Sequence, residues 1–347
     1  MKENVFIGQI KEQPLREKMD LKDRKILYLL NRNARFSDTM IAKTLKLKRE
    51  VVSYRIKKLI ERNILHGFLT LINPIRLGFR IHIVYLKLKE LKDVNEVIDY
   101  FVNLKEVSRL QNCSGAYDLQ IMFSTKDISD FNNVFEGIIS KLSDTINDYL
   151  IVEIIEENFL GLQLLLNNEE RKEMNLNPIE FKGSSFQKDF LNIKKTNNTI
   201  KIDEKDKMLL EFLVLNARIS IIELSKKLNL SVTSIENRIK NLIKDGVIKA
   251  FIPYISLAHL GYQWYNVCFQ VKNINEKKFI SYLENNTNVP WCTKMVGKWN
   301  YQFSIFARDN TEFNLVLNQI RSEFIDNIVS HNSMIIFNQF KFVHRLE

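Results

Sequence analysis

The chain has 347 residues, of which 45% are hydrophobic, and carries 51 Lys and Arg against 41 Asp and Glu, a net charge of +10. That length exceeds what one core usually supports, the apolar fraction is globular rather than disordered, and the basic surplus favours a polyanionic partner. Three cysteines without short paired spacing and five scattered histidines exclude a disulfide framework and a structural zinc site. A reducing cytoplasm is therefore the expected compartment, with no metal and no cofactor. No apolar core precedes Pro14, and no run approaches the roughly 18 apolar residues of a membrane span, so neither a signal peptide nor a membrane partner is expected.

Residues 1–18 are polar and of mixed charge. They read as an N-terminal arm in which Val5-Phe6-Ile7 could add an edge strand. Asp20 to Leu30 reads as a helix, with Asp20 as N-cap and Ile26, Leu27, Leu29 and Leu30 inward. Asn33-Ala34-Arg35 is a break. Ser37 then caps a second short helix that ends at Leu45. After the turn Lys46-Leu47-Lys48, a third helix runs from Arg49 to Arg62, with Val52, Ile56, Leu59 and Ile60 at helical spacing. Three short helices with a tight turn before the last make a helix-turn-helix. The β-like stretch Ile64–Ile72 would be its wing.

Past Gly78 the pattern changes. Strand 81–88, helix 94–104, strands 107–113 and 117–124, helix 128–142 and strand 149–155 give β-α-β-β-α-β, the ferredoxin-like arrangement. Ile83, Tyr85, Leu119, Ile121 and Phe123 are assigned to its open face, which would need a partner. Residues 167–201, rich in Asn and Lys with Pro178 and Gly183, read as a linker in which Ile179, Phe181 and Phe186 could dock on a domain.

The whole pattern then recurs. Asn33-Ala34-Arg35 returns as Asn216-Ala217-Arg218, Arg55-Ile56-Lys57 as Arg238-Ile239-Lys240 and Leu77-Gly78 as Leu260-Gly261, all at one offset of 183 residues. An ungapped register of this length indicates duplication. In the second copy Ser220 and Glu223 form an expected capping box. The expected fold class is α+β, with two copies of a winged helix-turn-helix domain followed by a ferredoxin-like domain. The expected boundaries are 19–73, 74–166, 202–256 and 257–347.

The two copies differ in charge. Asp20–His66 holds thirteen basic and five acidic side chains, and its counterpart nine and seven, a surplus of eight against two. The outward side of a third helix is where base edges and phosphates would be met. The DNA-facing candidates are Lys48, Arg49, Ser53, Tyr54, Arg55, Lys57 and Lys58 in the first copy, and Ser231, Thr233, Asn237, Arg238 and Lys240 in the second. Ser231 is a good N-cap for its helix. Its counterpart Lys48 has no acceptor oxygen and could instead reach a phosphate.

The series Asp20-Leu21-Lys22-Asp23-Arg24-Lys25-Ile26-Leu27, then Asn33-Ala34-Arg35, Val52, Arg55, Leu59 and Leu77-Gly78, resembles the Lrp/AsnC family of feast/famine regulators. The second copy shows it through Ile202-Asp203, Asp206, Ala217-Arg218, Leu230-Ser231, Arg238, Gly246-Val247-Ile248 and Leu260-Gly261. The resemblance implies a transcription regulator that binds double-stranded DNA and self-associates through its ferredoxin-like domains. Family members usually carry one copy and dimerise, so two copies in one chain imply an internal pseudo-dimer. The turns at Ser114, Gly115, Tyr117 and Asp118, and at Gly297, Trp299 and Asn300, resemble the family's effector turn and imply an amino-acid effector. Tight β-turn chemistry accounts for the same residues without a ligand. Two alternatives share the resemblance or the charge. Sirohaem decarboxylases are similar in fold, but the equivalent strands here offer Arg109 and Lys294 and no histidine. A non-specific architectural DNA binder would follow salt steeply and ignore sequence.

Overall fold

The computed structural model describes residues 5–11, 19–89, 94–174 and 198–346. Pro178, Ile179, Phe181, Gly183 and Phe186 lie outside the described residues. Strand β1 (Val5–Lys11) pairs antiparallel with the C-terminal strand, as the Val5-Phe6-Ile7 pattern anticipates.

The first head contains α1 (Leu21–Arg32), α2 (Asp38–Leu45), α3 (Arg49–Glu61) and β2 (Leu65–Ile72). Asp20 accepts the Asp23 amide and Ser37 the Met40 amide, so both expected caps form. The second head contains α7 (Glu204–Leu215), α8 (Ile221–Leu228), α9 (Val232–Lys244) and β7 (Ile248–Ile255). Ser220 accepts the Glu223 amide, but the Glu223 carboxylate pairs with Lys227 at 3.7 Å, so only the serine side of the expected capping box forms. Ile60 corrects the expected inward stripe. It is 43% exposed, whereas its counterpart Ile243 is fully buried.

After each head the chain makes a ferredoxin-like unit. The first holds β3 (Arg80–Leu88), α4 (Val94–Asn103), β4 (Val107–Ser114), β5 (Leu119–Thr125), α5 (Ile128–Lys141) and β6 (Ile146–Phe159). The second holds β8 (Gln263–Val271), α10 (Glu276–Glu284), β9 (Trp291–Val296), β10 (Tyr301–Ala307), α11 (Asn310–Glu323) and β11 (Ile328–Val343). Their strand orders, β4-β5-β3-β6 and β9-β10-β8-β11, are the same. Both last strands are long, and each leaves its own sheet to pair with the other: β6 with β9, and β11 with β4. The eight strands thereby close into a ring, which removes the exposed edges of both sheets.

Closure buries strand faces that a lone unit would leave open. Ile83 and Tyr85 enter the inter-sheet core as expected, together with Cys268, Met295, Trp299 and Met334 of the second half. Leu119, Ile121 and Phe123 do not. They face α4 and α5, and it is Gln120 and Met122 that point into the ring. Every residue of β5 is buried, so the strand carries no polar alternation from which its inward face could be chosen.

After β6 the chain makes α6 (Asn168–Glu173), a short helix with a full capping box between Asn167 and Glu170. Arg24 of α1 holds it through Glu170 at 2.6 Å.

Candidate nucleic-acid interface

The heads do not stand alone. β2 and β7 pair antiparallel into a two-stranded ribbon, and each strand packs on the first helix of the opposite head. The core of the first head therefore includes Ile255 and Leu257, and that of the second includes Ala34 and Ile72. The repeated Asn-Ala-Arg stretch, read as a break, is the clasp between them. The Ala34 amide donates to the Phe251 carbonyl at 2.9 Å, and the Ala217 amide to the Phe68 carbonyl at 3.0 Å. Arg35 donates to the Ala217 and Ile219 carbonyls and lies 5.5 Å over the Phe251 ring. Arg218 pairs with Asp38 at 2.7 Å and lies 4.9 Å over Phe68. Burial, and secondarily the Arg218 charge, pull the Arg35 pKa down to about 10. Sequence reasoning missed these two arginines, although their recurrence at one offset was the available signal.

Each third helix is locked onto the start of its own first helix. Arg55 bridges Asp20 and Asp23, both at 2.7 Å, and Arg238 bridges Asp203 at 2.8 Å and Asp206 at 2.7 Å. The hydrogen bonds that Arg238 donates to Asp206 and to Asp203 raise its pKa. These guanidinium groups orient the helices. Ser53 is also engaged within the chain: it donates to Asp38, the partner of Arg218, and so joins α3 to the inter-head clasp.

The remaining candidates of the first head share one outward face. Lys48, Arg49, Tyr54, Lys57 and Lys58 are all exposed. Lys58 pairs with Glu61 at 2.7 Å and sits 5.8 Å from the Tyr54 ring, and Lys57 approaches Glu61 at 3.9 Å. Lys48 and Arg49 have no acidic partner among the described residues. Lys48 makes no side-chain cap, whereas Ser231 caps α9 by accepting the Ser234 amide. Thr233, Asn237 and Lys240 are exposed beside it.

The two glycine turns sit elsewhere, at the seams of the ring. Gly115 and Gly297 have φ of +133° and +134°. A Cβ on Gly115 would lie 2.8 Å from the Ser333 carbonyl, and one on Gly297 3.0 Å from Val152. Ser114 pairs with Ile335 across the same seam. Tyr117 and Trp299 are buried in the inter-sheet core. Asp118 accepts the Leu88 amide and pairs with Lys87 at 3.0 Å, while Asn300 accepts the Val271 amide. The described structure holds no helix long and apolar enough to cross a membrane.

Two winged helix-turn-helix heads, clasped by a shared ribbon over a closed ring of two ferredoxin-like units, define a two-headed DNA-binding architecture. A family model for the AsnC-type helix-turn-helix domain matches residues 19–60, and one for winged helix-turn-helix DNA-binding matches residues 202–249. An HTH-type transcriptional regulator of Pyrococcus furiosus is 32% identical over 124 residues, 36% of this chain and 82% of that protein. One from Methanocaldococcus jannaschii is 38% identical over 111 residues, 32% of this chain and 74% of that protein. The chain belongs to the Lrp/AsnC family of helix-turn-helix transcriptional regulators. Its overall fold is also similar to the crystal structure of the siroheme decarboxylase NirDL, with a TM-score of 0.61 over 93% of each chain at 14% identity, a likeness of fold alone.

Proposed function

We propose that this protein is a transcription regulator that grips an asymmetric DNA site with two unequal heads held at a fixed spacing. The observation that carries this is the outward face of α3. Lys48, Arg49 and Lys57 stand exposed there, while the arginines that the chain needs for its own packing, Arg55 and Arg35, are turned inward onto protein partners. A cation left solvated on a helix-turn-helix face is placed for phosphate or for the acceptor edge of guanine. The second head offers Thr233, Asn237 and Lys240 on the outward face of α9, with Lys240 at the place of Lys57 and Val232 at that of Arg49, a face with hydrogen-bonding groups and less charge. One head then supplies most of the electrostatic grip and the other contributes mainly through shape and hydrogen bonds.

The test is a binding titration on DNA selected by the protein from random oligonucleotides. Replacing Arg49 and Lys57 together by Ala should weaken binding by roughly 100-fold, at about 1–3 kcal/mol for a base contact with a phosphate contact added, and should flatten the salt dependence. Replacing Thr233 and Lys240 should cost less. A larger loss from the second pair would overturn the assignment of the first head as the main grip.

The decarboxylase reading gains little from the site. Arg109 is paired with Glu157 and Lys294 with Glu276, and none of the described residues that line the cavity between ring and ribbon is a histidine.

A further inference from the structure

The two sheets of the ring match position by position. Tyr85 lies opposite Gln120 in the first, and Cys268 opposite Gln302 in the second. Two residues along, Ile83 faces Met122 while Asn266 faces Ser304. Two further, Ile81 faces Ser124 while Trp264 faces Phe306. Of the first set, Ile81, Ile83, Tyr85 and Met122 belong to an apolar core. Of the second, Trp264, Asn266, Gln302, Ser304 and Phe306 line a cavity of about 110 Å³, which Gln120 also reaches and which is roofed by Leu69 of β2 and by Pro253 and Tyr254 of β7. Duplication has thus left one end of the ring sealed and made the other hollow.

A dry, purposeless void in a core is lined with apolar groups alone, and this one carries polar side chains among its apolar walls. Asn266 accepts from Trp264 Nε1 and from Ser304 Oγ, both at 2.9 Å, and donates to Gln120 Oε1 at 3.0 Å. Gln302 Oε1 accepts the Tyr85 hydroxyl at 2.6 Å. Both glutamines line the cavity with their carbonyl oxygens already engaged, and neither amide nitrogen has a protein partner among the described residues. Arg109, also in the wall, pairs with Glu157 at 3.0 Å and keeps a buried Nε–H that makes no bond. The wall therefore has spare donors. Its two charges, Arg109 and Glu157, answer each other, so a charged guest would arrive without a counter-ion. Trp264, Trp291 and Phe306 supply flat apolar walls. The volume is somewhat below the about 150 Å³ void known to hold benzene in an engineered core, room for one small ring.

We propose that the hollow end of the ring is a binding site for a small, flat, uncharged molecule rich in carbonyl-type acceptors, of the size of a single-ring lactam or imide. The site lies directly beneath the ribbon that joins the two DNA-reading heads, and it is separate from both glycine turns.

Tryptophan fluorescence tests this. Of the three tryptophans, Trp264 and Trp291 line the cavity and Trp299 lies in the sealed core. The full chain is titrated with uracil, nicotinamide and succinimide, and in parallel with benzoate and phenylalanine as charged counterparts. A saturable change with at least one uncharged ligand, with a raised melting temperature, is expected. Ser304→Met installs the side chain that the sealed end carries at the matching position, and should weaken that ligand at least roughly tenfold, or 1.4 kcal/mol, with melting temperature showing that the variant is folded. Thr293→Val, a milder change in the same wall, serves if Ser304→Met does not fold. The proposal is overturned by the absence of any saturable change with the uncharged ligands, by tighter binding of benzoate or phenylalanine, or by a folded variant that binds as the parent does. No DNA enters the assay, so its failure leaves the regulator reading standing.

Discussion

His344 lies against Arg109 and Glu157, beside the Phe342 ring at 5.2 Å, and its Nε2 is buried without a hydrogen bond. Burial first, and the Arg109 charge second, hold its pKa down to about 4, although Glu157 pulls the other way. An unfolded chain takes up the same proton near pH 6.5, so between those values the unfolded state binds more protons than the native one. Stability from this group is complete above about pH 6.5 and is lost as the pH falls toward 4. Burial lowers His66, His82 and His331 as well, so the slope is shared. Urea midpoints compared at pH 7 and pH 5 should fall on acidification, and His344→Asn should shrink the difference. An unchanged difference in that variant would mean that His344 is not among the groups responsible. None of this was legible in the sequence, where His344 is a lone residue near the C-terminus.

The two heads are the same element built twice with unequal local chemistry. The residue that ends α2 is Lys46, at φ of +54°, and its counterpart after α8 is Asn229, at φ of +53°. Left-handed backbone costs an ordinary L-residue roughly 1–2 kcal/mol, and asparagine suffers less because its short side chain can bond locally. Lys46→Asn should therefore stabilise the first head by about 0.5–1 kcal/mol, read as a rise in melting temperature with DNA affinity little changed. A fall in melting temperature would show that the Lys46 side chain supports the turn by contacts that outweigh its backbone strain. Helix spacing and capping were readable because both are local. The misplacement of Ile60 has the same origin. Its spacing fits the apolar stripe, but the stripe on α3 is narrower than on α9, and only the packing partner sets its width.

For the molecule as a whole, the ribbon and the clasp decide how the heads act together. Arg218 ties Asp38 of the other head and covers Phe68, and through Asp38 it reaches Ser53 on α3. Arg218→Ala would leave Asp38 without its cation and the first head's reading helix without that brace. The expected result is a protein that still binds DNA but tolerates changed spacing between its two half-sites, measured on duplexes with inserted or deleted base pairs. Unaltered spacing preference would show that the β2–β7 ribbon alone fixes the geometry. Joining both halves in one chain makes the partner always present, so the ring can close without a second molecule.

The sequence by itself determined the duplication, the helices and strands of each copy, their caps and most of their inward stripes. Those follow from periodicity, backbone preference and short-range hydrogen bonding, all written within a few residues of one another. Tertiary structure alone decided which strands cross from one half to the other, and that Gln120 rather than Leu119 faces the ring. It also decided that Arg35, Arg55, Arg218 and Arg238 serve the protein's own packing, and that one end of the ring is hollow. A strand buried on both faces carries no alternation to read. An arginine's partner is set by what the fold brings within about 3 Å, so partners 180 residues apart, such as Arg218 and Asp38, leave no local trace.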